Sequence, residues 1–83
     1  MLLVVRKKEE GKTRLGVVTK RELGNAVTRN RIRRRITEAF RRVKDKLAES
    51  ADIVVLPKAE AQKTLFSELI LDFEQQLTKA NLL

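Results

Sequence analysis

The sequence predicts an α+β domain, a small sheet packed with helices in the order β-β-α-β-α. Three observations predict it. Short apolar runs rich in valine and isoleucine begin at Leu2, Leu15 and Ile53, with turn residues between the first two. Two longer segments repeat apolar residues at spacings of three and four, as amphipathic helices do. The chain has 83 residues, enough for one domain with a small core, and it shows no internal repeat or linker. Strands are placed at residues 2–7, 14–19 and 52–56, and helices at 26–47 and 58–80.

The first apolar run, Leu2-Leu3-Val4-Val5, does not alternate and reads as a strand buried on both faces. Lys8-Glu9-Glu10-Gly11-Lys12 is a polar, glycine-bearing hairpin connection. Arg14-Leu15-Gly16-Val17-Val18-Thr19 is the second strand. Residues 20–24 form a loop, and Asn25 stands where a helix cap belongs. In the helix that follows, Ile32, Ile36, Phe40, Val43 and Leu47 make one stripe, widened by Ala39. At about 100° per residue, Arg31, Arg35 and Arg42 flank this stripe on one side, and Arg33 and Lys44 on the other. Asn30, Arg34 and Arg41 point away from it. Pro57, the only proline, stops the third strand. The last helix takes Leu65 or Phe66, then Leu69, Ile70, Phe73 and Leu77, as its stripe. Its polar face is acidic through Glu60, Glu68, Asp72 and Glu74.

Residues 20–46 hold eleven lysines and arginines against three acids, Glu22, Glu38 and Asp45, a balance equal to the +8 of the whole chain. The positive field therefore sits on one loop and one helix. A solvated helix face usually mixes signs through i,i+4 pairs. Here no acid stands between Arg29 and Thr37, and like charges crowd together. An anionic partner offsets that repulsion. Arginine dominates the segment, and its planar fork suits phosphate oxygens. The pattern points to nucleic acid. It carries no helix-turn-helix, no aromatic RNA-recognition signature and no GXXG loop.

Several classes are excluded. There is no cysteine and no histidine, so disulfides, thiolate metal sites and histidine acid–base chemistry are absent. Asp52 and Glu60 flank the third strand without forming a marked pair, and Ser50 and Ser67 have no base near them in sequence. No catalytic residue and no metal ligand is assigned. The run Met1–Val5 is too short to span a bilayer, and Arg6-Lys7-Lys8 after it reverses the order of a signal peptide. A cytoplasmic protein with no membrane partner is expected. A membrane-surface helix would need large apolar residues exposed on one face.

The run Gly24-Asn25-Ala26-Val27-Thr28-Arg29-Asn30-Arg31-Ile32-Arg33-Arg34, followed by Ile36 and Glu38-Ala39-Phe40-Arg41, closely resembles the signature of the bacterial ribonuclease P protein subunit. Arg14-Leu15-Gly16-Val17-Val18 with Lys20-Arg21 resembles that family's strand and basic loop before the motif. Asp52-Ile53-Val54-Val55-Leu56-Pro57 is similar to its following strand. The resemblance covers nearly the whole chain. It implies a ribosomal protein S5 domain 2-like fold with a left-handed βαβ crossover, against the usual right-handed rule. It also implies binding to the ribonuclease P RNA and help in the Mg²⁺-dependent removal of the 5′ leader from precursor tRNA. The RNA would be the catalyst and would bind most of the Mg²⁺. Carried over by position, Lys20, Arg21, Arg29, Asn30, Arg31, Arg33, Arg34 and Arg41 would face RNA. Val4, Arg6, Val17 and Thr19 would belong to the sheet cleft for the leader. The alternative is a non-catalytic ribosomal or general RNA-binding module. Two positions depart from the family pattern: Thr37 stands where a basic residue is frequent, and Arg35 where an apolar one is. The family's additional N-terminal helix would precede Met1. That helix forms one wall of the cleft, and without it the sheet would be open to self-association.

Overall fold

The valine-rich segments pair into a three-stranded mixed sheet. The computed structural model describes residues 1–83. In order, it contains strands β1 (Leu2–Lys7) and β2 (Arg14–Val17), helix α1 (Ala26–Lys44), strand β3 (Ala51–Leu56) and helix α2 (Phe66–Lys79). β3 is central, antiparallel to β1 and parallel to β2, so β1 and β2 do not pair and the hairpin expected at residues 8–12 is corrected to a connection between the two edge strands. A parallel pair needs a crossover, and α1 supplies it. No helix is long and apolar enough to cross a membrane.

Burial along the strands alternates. Leu3 and Val5 of β1, Leu15 and Val17 of β2, and Ile53 and Val55 of β3 join the core. Leu2, Val4, Arg6, Arg14, Gly16 and Val54 are exposed. The expectation that β1 is buried on both faces is therefore corrected. The helices cover one face of the sheet, so every second residue meets solvent whatever its polarity. The register sets Val4 opposite Val54, and Val54 beside Gly16.

The core lies between that covered face and the helices. Ile32, Ile36, Phe40 and Val43 of α1 pack with Leu69, Phe73 and Leu77 of α2. The Phe40 and Phe73 rings lie 5.5 Å apart between centroids, tilted by 56°, an arrangement that aromatic quadrupoles favour. Of the two candidates at the head of α2, Phe66 packs on the core and Leu65 is exposed.

Both helices are shorter than their apolar periodicity suggests. α1 stops at Lys44, before Leu47. Lys46 N donates to Val43 O at 2.9 Å and Leu47 N to Lys44 O at 3.2 Å, so the last turn tightens to three-residue bonds. Ala48 N then donates to Leu82 O at 2.8 Å and docks the chain's last residues. Leu47 still packs against the core from outside the helix.

The predicted helix over 58–80 is broken. Ala59–Gln62 is a 3₁₀ turn, and α2 begins only at Phe66. The reason is Arg35. Its Nη1 donates to Ala61 O at 3.2 Å and Gln62 O at 2.8 Å, and its Nη2 to Thr64 O. Those carbonyls are thereby satisfied outside a helical ladder, while Thr64 N and Lys63 N both turn back to Glu60 O. Arg42 supports the same junction, with its guanidinium carbon 5.7 Å from the centre of the Phe66 ring.

Arg35→Ala leaves three partly buried carbonyls without their donor. It is expected to lower unfolding free energy by about 2–3 kcal/mol, the scale of hydrogen bonds to a charged group. Arg34→Ala, on the exposed side of the same helix, should stay within about 0.5 kcal/mol. Urea denaturation midpoints decide the matter, and equal midpoints for the two variants would refute the clamp.

Candidate nucleic-acid interface

The basic surface is set by the junction between β2 and α1. Gly24 has φ of 133°, and a Cβ there would lie 3.0 Å from Thr28 Cβ, so only glycine fits without a shift. Asn25 Oδ1 then accepts from Thr28 N at 2.9 Å and caps the helix. This fixes the turn carrying Arg29, Asn30 and Arg31. The first turn of α1 holds no acid, so its backbone dipole adds to the positive field.

The cations expected to face RNA fall into two groups. Lys20, Arg21, Arg31 and Arg34 are exposed and Arg29 is half-buried, and none of their side chains has a hydrogen bond or ion pair within the chain. Arg33 and Arg41 have partners. Arg33 Nη2 donates to Thr19 Oγ1 at 2.6 Å, and Thr37 Oγ1 donates to Arg33 O at 2.8 Å. Arg41 Nη1 bonds Glu38 Oε1 at 2.5 Å, an exposed pair of little energetic weight. Asn30, Arg33, Arg34, Thr37, Glu38 and Arg41 border a shallow groove of about 330 Å³. Arg35 and Arg42 turn away toward α2 and take no part in this surface.

The second candidate surface is the uncovered face of the sheet. Val4 and Arg6 lie on it, as expected, with Val4 53% exposed. Val17 does not: it packs against the core. Thr19 does not either, since its hydroxyl sits on the helix side beside Arg33. The pleat decides this, because residues of one strand two apart share a face and neighbours do not. Gly16 and Val18 of the same segment take the open positions, next to Val54, and Val18 is 41% exposed. Strand parity counted from exposed Arg14 would have found them. A Cβ added at Gly16 meets nothing within 4 Å, so the face is open there.

One end of this face is polar. Arg6, Asp52 and Arg14 stand side by side across the three strands. Arg14 Nε and Nη2 each donate to Asp52 at 3.0 Å, a two-pronged pair, and Lys8 Nζ lies 3.0 Å from the same carboxylate. The Arg14 hydrogen bonds, then those of Lys8, hold the Asp52 carboxyl below the usual carboxylate range. No group of three or more Asp, Glu, His or Cys side chains converges on a possible metal position.

A family model described as "Ribonuclease P" matches residues 1–81. The ribonuclease P protein component of Syntrophus aciditrophicus is 39% identical over 66 residues, covering 80% of this chain and 56% of the relative. That of Chlamydia pneumoniae is 36% identical over 74 residues, covering 89% of this chain and 52% of the relative. The chain thus spans about half the length of these curated relatives. Among solved structures, the RNase P protein from Thermotoga maritima superposes with a TM-score of 0.79 at 32% identity, over 93% of this chain and 74% of its own length. That of Staphylococcus aureus superposes with a TM-score of 0.74 at 30% identity, over 96% of this chain and 73% of its own length.

The Asp52 pair carries a pH dependence of known sign. A carboxyl held low in the folded state adds stability that is complete above the ordinary Asp range, near 3.8. The contribution is lost as pH falls below that range. Asp52→Asn should therefore flatten the acid limb of the stability curve and change little at neutral pH beyond a constant offset. Thermal melts from neutral pH down to about pH 2 check this. An unchanged acid slope would mean that Arg14 and Lys8 do not hold the carboxylate in solution.

Proposed function

This chain belongs to the ribonuclease P protein family, and we propose that it binds the ribonuclease P RNA and assists removal of the 5′ leader from precursor tRNA. The observation that carries this reading is the row of unpartnered cations on one face. Lys20, Arg21, Arg29, Arg31 and Arg34 have no counter-charge in the protein. Phosphates would supply it, and release of their counterions would drive association. The capped start of α1 and the Arg35 clamp hold the backbone of that face in place, so only the side chains themselves remain to be ordered on binding.

The chemistry belongs to the RNA in this reading. The protein offers no histidine or cysteine and no convergent set of metal ligands. Its one carboxylate on the open sheet, Asp52, is already taken by Arg14 and Lys8. In this reading the Mg²⁺ ions would be held by the catalytic RNA, where they would supply electrostatic stabilisation of the phosphoryl group. The chain's own contribution is to neutralise phosphates and to hold the substrate. The single-stranded leader would cross the open sheet face, with Val4, Val54 and Val18 beneath its bases and Arg6 near its backbone. This work would take place in the cytoplasm.

The test is single-turnover cleavage of a 5′-labelled precursor tRNA by a bacterial ribonuclease P RNA at low Mg²⁺, with and without the chain. A rate increase at the mature 5′ end is expected. Arg29→Ala and Arg31→Ala should each reduce that stimulation by roughly tenfold, the effect of losing one charged contact, while circular dichroism stays unchanged. Normal stimulation by both variants would remove this face from the interface. Binding to the catalytic RNA should weaken steeply with salt, log K falling by about 0.7–0.9 per neutralised phosphate against log salt.

A further inference from the structure

At the end of the sheet opposite Asp52, β2 and β3 leave the ladder together. Val18 N donates to Val55 O at 2.9 Å and holds the two exits side by side. One chain then turns at Pro57, and the other enters the 3₁₀ turn Arg21–Leu23. Between them lies a cleft of about 310 Å³ lined by Val18, Lys20, Glu22, Leu23, Leu56 and Pro57, at the small end of ligand sites.

Its lining is unusual for a surface that only meets phosphate. Val18, Leu23, Leu56 and Pro57 are apolar and Lys20 is cationic. Glu22 is the one acid between Lys20 and Thr37, and it forms no ion pair although Lys20 and Arg21 precede it directly. A free carboxylate in the most positive part of the molecule weakens any contact with phosphate. It suits a neutral group that donates hydrogen bonds.

We propose that this cleft is a pocket for one unstacked nucleobase of single-stranded RNA, in which Glu22 accepts from the base's amino group. The apolar wall would take the flat face of the base, and Lys20 its phosphate. Unstacked bases in single-stranded RNA are read along their Watson–Crick edges, and a carboxylate accepts from an amino group such as cytosine N4. Uracil carries a carbonyl oxygen, O4, in place of that amino group, and its one edge donor, N3–H, lies between two carbonyl oxygens that a carboxylate repels. The pocket therefore discriminates against uracil. This inference rests on the RNA-binding reading above and adds base selectivity to it.

The experiment compares fluorescently labelled hexacytidylate and hexauridylate binding to the full chain at one salt concentration. The two oligomers are pyrimidine runs that match in length and charge, and loss of the preference in Glu22→Gln separates the base edge from any difference in stacking. The wild type should favour cytidine by at least about fivefold, the scale of one good base-edge contact. Glu22→Gln, which can also donate to uracil, should bring the ratio close to one. Arg31→Ala should weaken both oligomers equally and leave the ratio intact. Binding without a cytidine preference, or a preference that survives Glu22→Gln, overturns the pocket and leaves the RNA-binding reading standing. Failure of the wild type to bind either oligomer overturns the pocket, and failure to bind the catalytic RNA as well overturns the RNA-binding reading.

Discussion

A nineteen-residue helix with one apolar stripe governs this molecule. Ile32, Ile36, Ala39, Phe40 and Val43 are all but fully buried, and they anchor α1 against α2 and the sheet. Burying a large aliphatic or aromatic side chain contributes about 1.5–3 kcal/mol. That anchorage holds like charges on the remaining circumference, where an isolated helix of the same sequence would be destabilised by their repulsion. Fold and basic surface thus depend on one amphipathic constraint. A change that loosens the stripe would also scatter the cations.

The cations on that helix divide by direction. Those facing α2 are used within the protein: Arg35 bonds three connector carbonyls, and Arg42 lies against Phe66. Arg33 ties the helix to Thr19 at the exit of β2. Of those facing outward, Arg41 pairs with Glu38, and Arg29, Arg31 and Arg34 have no partner. The inward group fixes where the outward group stands, which preorganises the surface for an anion. A segment that reads as uniformly basic therefore serves two ends, internal bracing and external binding.

The sheet separates its faces in a comparable way. Its covered side completes the core. Its uncovered side runs from the Arg6–Asp52–Arg14 row, through Val4, Val54 and Gly16, to the cleft beside Leu56 and Pro57. Charge at each end with apolar floor between suits a strand of RNA, whose backbone is charged and whose bases are flat and weakly polar on their faces. The basic helix surface and this face meet at the loop of Lys20 to Gly24, the one segment that borders both.

The α+β class, the element order and family membership were legible in the sequence, because they follow from periodicity, turn residues and a long ordered motif. The stripe of α1 was legible too, since 3.6-residue spacing by itself selects which side chains share a face. Strand faces were less so. An unbroken apolar run such as Leu2–Val5 looks the same whether one face or both are covered, and only the placement of the helices on one side distinguished them. Val17 and Thr19 are placed on the open face by the family resemblance alone, and the pleat sets them on the other. The break before α2 could not be read from local pattern, because its cause is Arg35, a residue 26 positions away from the first carbonyl it binds. Local spacing determines what a segment can bury. Which carbonyls, cations and faces remain free is decided by the elements that pack against it.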